Sequence, residues 1–183
     1  NGQEPGDIKV QDVDGNGVIT TDDRIIYSQR PDVTFGFNNT FNYKGFDLSV
    51  FLYARLGQWI AYDYNTTYRI NALENGGNVD YWTPENPTNA FPRPNKSKSY
   101  TQVTYYSTLK YEDGSFFKIR DITLGYTFKP ELLKHLNLSR LRVYATAKNF
   151  FTFSKIDNYD PEQGGSISFP MTKQLVFGLN VEF

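Results

Sequence analysis

Hydrophobic and polar residues alternate with a period of two along five stretches of this chain, which predicts β-strands with two unlike faces. In 34–43 the odd positions are Phe35, Phe37, Asn39, Phe41 and Tyr43, and the even ones are Thr34, Gly36, Asn38, Thr40 and Asn42. After Lys44-Gly45 the alternation resumes, with Phe46, Leu48, Val50, Leu52, Ala54 and Leu56 opposite Asp47, Ser49, Phe51, Tyr53 and Arg55. Two alternating strands around a two-residue, glycine-containing break predict a tight hairpin. A third strand is expected over 118–128, with Ile122, Leu124, Tyr126 and Phe128 on one side. A fourth covers 141–153, with Leu141, Val143, Ala145 and Ala147 on its apolar side. The fifth closes the chain: Leu175, Phe177, Leu179, Val181 and Phe183 alternate with Gln174, Val176, Gly178, Asn180 and Glu182.

Segments of about ten residues match what a tilted strand needs to cross a bilayer. The connections between them alternate in length. Those at 44–45 and 129–140 are short, those at 57–117 and 154–173 are long, and 1–33 would be a third long one. Outer-membrane barrels have short periplasmic turns and long extracellular loops. The expected fold is therefore all-β: an antiparallel transmembrane β-barrel segment over 34–183 with long extracellular loops and a periplasmic C-terminus. Five strands cannot close a membrane barrel, and an open sheet edge cannot sit in lipid. The missing strands are expected from an upstream part of the same polypeptide, with other subunits as the alternative source. A soluble antiparallel sandwich alternates too, so a second reading is a secreted calcium-binding β-sandwich that binds glycan. The strand faces separate the two. A barrel exposes Phe35, Phe37, Phe41 and Leu179 to lipid, whereas a sandwich buries them against a second sheet.

Composition sharpens this picture. The chain has 15 Phe and 14 Tyr but one Met, and its mean hydropathy is negative. Abundant aromatics on a polar chain suit a barrel with aromatic girdles, an apolar outside and a wet inside. A net charge of −1 supplies no basic field for nucleic acid. The absence of cysteine removes disulfides, thiolate metal sites and cysteine nucleophiles together. No apolar run is long enough for a transmembrane helix, so any crossing is by strands. No signal peptide stands at Asn1, and for an exported barrel the start is expected to lie outside this sequence.

The clearest chemical motif is Asp12 to Asp23, Asp-Val-Asp-Gly-Asn-Gly-Val-Ile-Thr-Thr-Asp-Asp. Set on a twelve-residue calcium loop, it places side-chain oxygens at positions 1, 3 and 5 as Asp12, Asp14 and Asn16, with Gly17 at the sharp turn. Val18 would offer a backbone carbonyl, Thr20 sits at position 9, and Asp23 closes the loop where a bidentate Glu is usual. The expected ligand is a structural Ca²⁺ on an extracellular loop spanning 1–33.

The connection 57–117 carries Trp59, Tyr62, Tyr64, Tyr68, Tyr81, Trp82, Tyr100, Tyr105, Tyr106 and Tyr111. Aromatic faces stack on sugar rings, and Trp59, Tyr81 and Trp82 are the candidate substrate contacts. Pro84, Pro87, Pro92 and Pro94 are expected to oppose regular structure there. Pro130 followed by good helix formers predicts one helical turn in the connection 129–140. His135, the single histidine, falls in that turn and is assigned to solvent. No P-loop, GxSxG or HExxH motif is present, so no enzyme is indicated. The pair Glu112-Asp113 is assigned to a polar turn.

Several runs together resemble the C-terminal part of SusC/RagA-type TonB-dependent transporters. They are Gly6-Asp7-Ile8-Lys9 before the Asp12–Asp23 loop, Pro31-Asp32-Val33-Thr34-Phe35-Gly36-Phe37-Asn38-Asn39, and Trp82-Thr83-Pro84-Glu85-Asn86-Pro87-Thr88-Asn89. Ile119-Arg120-Asp121-Ile122-Thr123-Leu124-Gly125-Tyr126, Asn149-Phe150-Phe151-Thr152-Phe153, Tyr159-Asp160-Pro161-Glu162 and the closing 177–183 complete them. The resemblance implies the last strands of a 22-stranded barrel in the outer membrane of a Gram-negative bacterium. It further implies an N-terminal plug, a SusD-like surface lipoprotein as lid, and uptake of oligosaccharides or peptides energised through TonB. It implies too that Phe177, Leu179, Val181 and Phe183 form the signal read by the barrel-assembly machinery. The plug and TonB-contacting segment belong to a region outside this sequence.

Overall fold

Strands with one apolar and one polar face must lie side by side so that like faces share one surface, and this chain does so with its five alternating stretches. The computed structural model describes residues 4–62, 64, 79–93, 108–169 and 171–183. Five long strands, β1 (Val33–Tyr43), β2 (Phe46–Leu56), β5 (Phe116–Thr127), β6 (Arg140–Ser154) and β7 (Gln174–Glu182), form one sheet in the order β1-β2-β5-β6-β7. Every neighbouring pair is antiparallel. Two three-residue strands, β3 (Trp59–Ala61) and β4 (Tyr111–Asp113), pair separately.

The β1–β2 turn is Lys44-Gly45, with φ of 47° and 89°. Positive φ at both central residues gives the mirror-image turn whose twist matches that of the strands. It fixes a register from Tyr43↔Phe46 to Val33↔Leu56. Residues directly opposite share a face, so the register can be followed across the sheet. On one side run Tyr43, Phe46, Tyr126, Val143 and Leu179, then Phe41, Leu48, Leu124, Ala145 and Phe177. Further along the strands come Asn39, Val50, Ile122, Ala147 and Leu175, then Phe37, Leu52, Ile119 and Phe151. One row on the other side reads Thr40, Ser49, Thr123, Thr146 and Val176; another reads Asn42, Asp47, Gly125, Tyr144 and Gly178.

One device keeps this segregation intact. The register shifts between Ile119 and Asp121, where Arg120 is an extra residue in β5 relative to β2. Without the bulge, Ile119 and Ile122 would lie on opposite faces; with it both join the apolar one. Opposite the bulge, β6 carries Asn149 in the left-handed region at φ 58°, a conformation asparagine tolerates better than most residues.

The apolar face is uncovered. Phe41 is 60% exposed and Phe177 76%, and Phe35, Phe37 and Leu179 are exposed as well. The sandwich reading required a second sheet over these residues, and among the described residues β3–β4 is the one further sheet. That reading is set aside. No helix among the described residues is long and apolar enough to cross a membrane.

The connection 57–117 pairs its two ends, on either side of its prolines. Trp59 pairs with Asp113 and Ile60 with Glu112, so Glu112-Asp113 lies in a strand and not in a polar turn. The reason is local closure: Gln58 is buried, its Nε2 donates to the Gly114 carbonyl at 2.7 Å, and Tyr62 N donates to the Lys110 carbonyl at 2.7 Å. Around this hairpin Ile60, Tyr62 and Ile156 are buried together, with Tyr64 and Tyr159 against them. Gly165 is required here, because any side chain would run into the Ala61 carbonyl. Pro130–Leu133 forms the expected helical turn, and His135 is exposed in the 3-10 turn that follows. Tyr68, Pro94, Tyr100, Tyr105 and Tyr106 lie outside the described residues.

Candidate functional site

The Asp12–Asp23 loop winds on its own carboxylates. Asp12 accepts Gly15 N and Gly17 N, both at 2.7 Å, through different oxygens. Asp14 accepts Asn16 N at 3.0 Å and Asn16 Nδ2 at 2.7 Å. Asp23 accepts Val13 N and Thr20 N at 2.7 Å, and Thr20 Oγ1 in turn caps the 3-10 turn Thr21–Asp23 by accepting Asp22 N. Backbone donors around Asp23, Thr20 N foremost and then Val13 N, hold its carboxyl below the usual range. Carboxylate oxygens of Asp12, Asp14 and Asp23 come within 4.8 Å of one another. A carboxylate oxygen that accepts one N–H keeps a second lone pair, so this oxygen set fits a hard divalent cation. Asn16 Oδ1 accepts Val18 N at 2.8 Å, so of the six predicted ligands the structure gathers three as a carboxylate group.

The three candidate substrate aromatics do not form one surface. Trp59 packs against Tyr27, with ring centroids 4.4 Å apart, and Tyr27 against Tyr111 at 5.3 Å. Tyr81 makes a bridge with Phe91. Trp82 lies over Gly6, where a Cβ would come within 2.5 Å of its ring, and Arg93 ties Glu4 and Asp7 to the same corner. A cavity of about 1020 Å³ lies among 6–27, 82–92 and 108–111; Trp82 and Tyr111 line it, but neither Trp59 nor Tyr81 does.

The densest polar site went unnoticed in the sequence. On the polar face of β5 the Lys118 side chain is 0% exposed. Its Nζ meets both Asp160 oxygens at 2.8 and 2.7 Å and Glu162 Oε2 at 2.9 Å. Arg120 Nη1 takes the other Glu162 oxygen at 2.9 Å. Asp160 also caps the short turn Pro161–Gln163 by accepting Glu162 N. The connection 154–173 is thereby clamped onto the strand face. A lysine in an otherwise alternating strand, and the run Tyr159-Asp160-Pro161-Glu162, were the available signals. Pairing them across 42 residues required the fold.

Further along the same face Arg142 grips Asp47 with two bonds, at 2.9 and 2.5 Å, lying flat over Gly125. Tyr144 covers Gly178, and Thr123 and Thr146 share a hydrogen bond of 2.8 Å. Lys148 faces Asp121 at 3.8 Å. On β7, Phe177, Leu179 and Val181 stand exposed on the apolar face, and Phe183 is exposed beyond the strand.

No protein-family model matches the chain. It is 31% identical over 203 aligned positions to TonB-dependent receptor P3 of Formosa agariphila, covering 98% of this chain and 19% of that protein. It is 31% identical over 181 positions to TonB-dependent receptor SusC of Bacteroides thetaiotaomicron, covering 94% and 17%. The RagAB peptide importer in its closed-closed state superposes with a TM-score of 0.71 at 28% identity, over 98% of this chain and 20% of that one. The chain thus spans about a fifth of the relatives it matches. These relatives are named as receptors and an importer, not as enzymes. By likeness of sequence along nearly its whole length, and of fold, the chain belongs to the SusC/RagA family of TonB-dependent receptors, as a segment of one.

Proposed function

We propose that this segment supplies closing strands to the barrel of a TonB-dependent importer in the outer membrane of a Gram-negative bacterium. The observation that carries the reading is the apolar face running from Phe35 and Tyr43 to Leu175 and Leu179, on which nothing among the described residues packs. Exposing so many aromatic and aliphatic side chains to water is unfavourable, whereas lipid is their natural solvent. The opposite face, with its ion pairs and threonines, suits a wet interior. The strands would complete a barrel of 22 with others from elsewhere in the polypeptide, and 1–33, 57–117 and 154–173 would be its extracellular loops. A plug contacted by TonB and a SusD-like surface lipoprotein acting as lid would complete the machine. Its cargo would be oligosaccharides or peptides; the RagAB relative is a peptide transporter. On β7, Phe177, Leu179, Val181 and Phe183 would serve as the assembly signal, and Trp59, Tyr81 and Trp82 would act near the substrate path.

The test is the intact mass of the polypeptide containing this sequence in detergent-extracted outer membranes. A species several times 21.1 kDa that co-purifies with a lipoprotein is expected. A soluble 21.1 kDa species would end the importer reading.

The Asp12–Asp23 loop is proposed to hold a structural Ca²⁺, with Asp12, Asp14 and Asp23 as the principal ligands and Asn16, the Val18 carbonyl and Thr20 completing the sphere. Asp14→Ala in the full-length protein should release one equivalent of calcium by elemental analysis. Unchanged metal content would remove the proposal.

A further inference from the structure

Around Tyr53, on the polar face, charge does not balance. Arg55 Nε donates to Tyr53 Oη at 2.8 Å, and its guanidinium carbon lies 5.5 Å from the centre of the Tyr53 ring. The Arg120 guanidinium carbon lies 5.5 Å from the same ring. Phe51 and Phe116 flank it, at ring-centroid distances of 6.3 and 5.7 Å. Three cations, Arg55, Lys118 and Arg120, therefore gather at one aromatic platform. The carboxylates there, Asp160 and Glu162, are taken up by Lys118 and Arg120. Among the described residues Arg55 has no carboxylate partner.

A guanidinium carries five N–H donors in a rigid fork. The Tyr53 hydroxyl uses the Nε donor of Arg55, leaving those of the terminal nitrogens, and it fixes the fork in place. A half-buried charge without a counter-ion is costly, and an arriving carboxylate recovers that cost through charge-assisted, two-pronged bonds. The excess is not incidental to strand chemistry. Elsewhere on the same face each cation has its anion, as in Arg142–Asp47 and Lys148–Asp121. The clamp on 154–173 supports the platform, since Glu162 holds Arg120 beside Tyr53.

We propose that Arg55, oriented by Tyr53 and backed by Arg120, is a carboxylate-recognition subsite on the interior wall. The cargo it selects carries a free carboxylate, either the C-terminus of a peptide or the acid group of a uronate-type sugar. This rests on the importer reading and deepens it.

The experiment uses the full-length importer purified with its lipoprotein partner. Two pairs of probes are offered: mixed pentapeptides as free acids and as C-terminal amides, and trigalacturonate beside its methyl ester. Retained probe is measured by mass spectrometry. Wild type should retain at least one acid about tenfold better than its neutral twin, the size of effect one charge-assisted pair confers. Arg55→Gln should abolish that preference while retention of the neutral twins is unchanged. Tyr53→Phe, which keeps the ring and removes the hydroxyl that orients Arg55, should weaken the preference in the same direction and guards against a misfolded first variant. The arm that shows the effect identifies the source of the carboxylate. An assembled wild type without acid preference, or an Arg55→Gln variant that loses acid and neutral probes equally, overturns the subsite alone. A chain that does not assemble into the outer membrane with a lipoprotein overturns the importer reading beneath it.

Discussion

The two faces of the five-stranded sheet are made from the same strands yet follow opposite rules. On one face, rows such as Phe41, Leu48, Leu124, Ala145 and Phe177 carry no charge and need no particular neighbour. On the other, nearly every large side chain has a named partner: Lys118 with Asp160 and Glu162, Arg142 with Asp47, Thr123 with Thr146, Tyr144 over Gly178. The apolar face tolerates exchange among hydrophobic residues because dispersion and burial in lipid are non-directional. The polar face tolerates little, because a desolvated charge or hydroxyl that loses its partner keeps the whole cost of desolvation. Substitutions should therefore separate the faces by kind of residue as well as by size of effect.

The largest effect is expected where charge is most deeply buried. Lys118→Ala leaves Asp160 without its cation and Glu162 with Arg120 alone, and removing one partner of a buried pair costs about 3–5 kcal/mol. The full-length barrel should lose that much in denaturant unfolding, or gain protease cuts within 155–169; neither change would dissolve the clamp. Next comes the lipid face. Leu179→Arg should cost about 2–4 kcal/mol if it sits near mid-bilayer, whereas Asn180→Asp, one residue along, on the other side and facing Arg142, should stay within about 0.5 kcal/mol. Equal costs in a lipid-reconstituted barrel would break the assignment of faces.

A smaller effect tests the polar face alone. Thr146→Val keeps shape but strands Thr123 Oγ1, and a loss of about 1 kcal/mol is expected; Ala145→Val on the opposite face is the comparison. The smallest effect concerns pH. Asp23 is held below its ordinary value by backbone donors, chiefly Thr20 N and then Val13 N, so its contribution to loop order is complete above the ordinary carboxylate range. It is lost as pH falls through the lowered folded value. Exchange of the Val13 and Thr20 amides in metal-free protein, corrected for its intrinsic pH dependence, should rise below that range and stay flat above it. A rise between neutral pH and the carboxylate range would contradict the linkage.

Much of the wall was legible in the sequence because strand periodicity is a local property. Side chains of successive residues point to opposite faces whatever the neighbours are, so Thr34–Tyr43 and Gln174–Phe183 announce a strand with two faces without knowledge of a partner. The Lys44-Gly45 hairpin was equally local, since two positive-φ residues suffice to turn the chain. The Asp12–Asp23 loop was legible because its spacing alone sets the winding. Less visible was the bulge at Arg120. It appears in the sequence only as a break in alternation, and a break does not say whether a strand has ended or has gained a residue.

The site around Lys118 and Tyr53 shows the limit. Sequence determined that Lys118, Arg120 and Arg55 are present on strands, and that Tyr159-Asp160-Pro161-Glu162 falls in a connection between strands. Only the tertiary structure decided that Asp160 and Glu162 reach Lys118 and Arg120, and that Arg55 is left over. Likewise β3 and β4 are three residues each and sit 50 positions apart, too short for a periodic signal. They exist because Ile60 and Tyr62 bury themselves against Ile156. Alternation along a strand is written by backbone geometry residue by residue, whereas the pairing of charges across a sheet depends on register and on where a distant loop comes to rest.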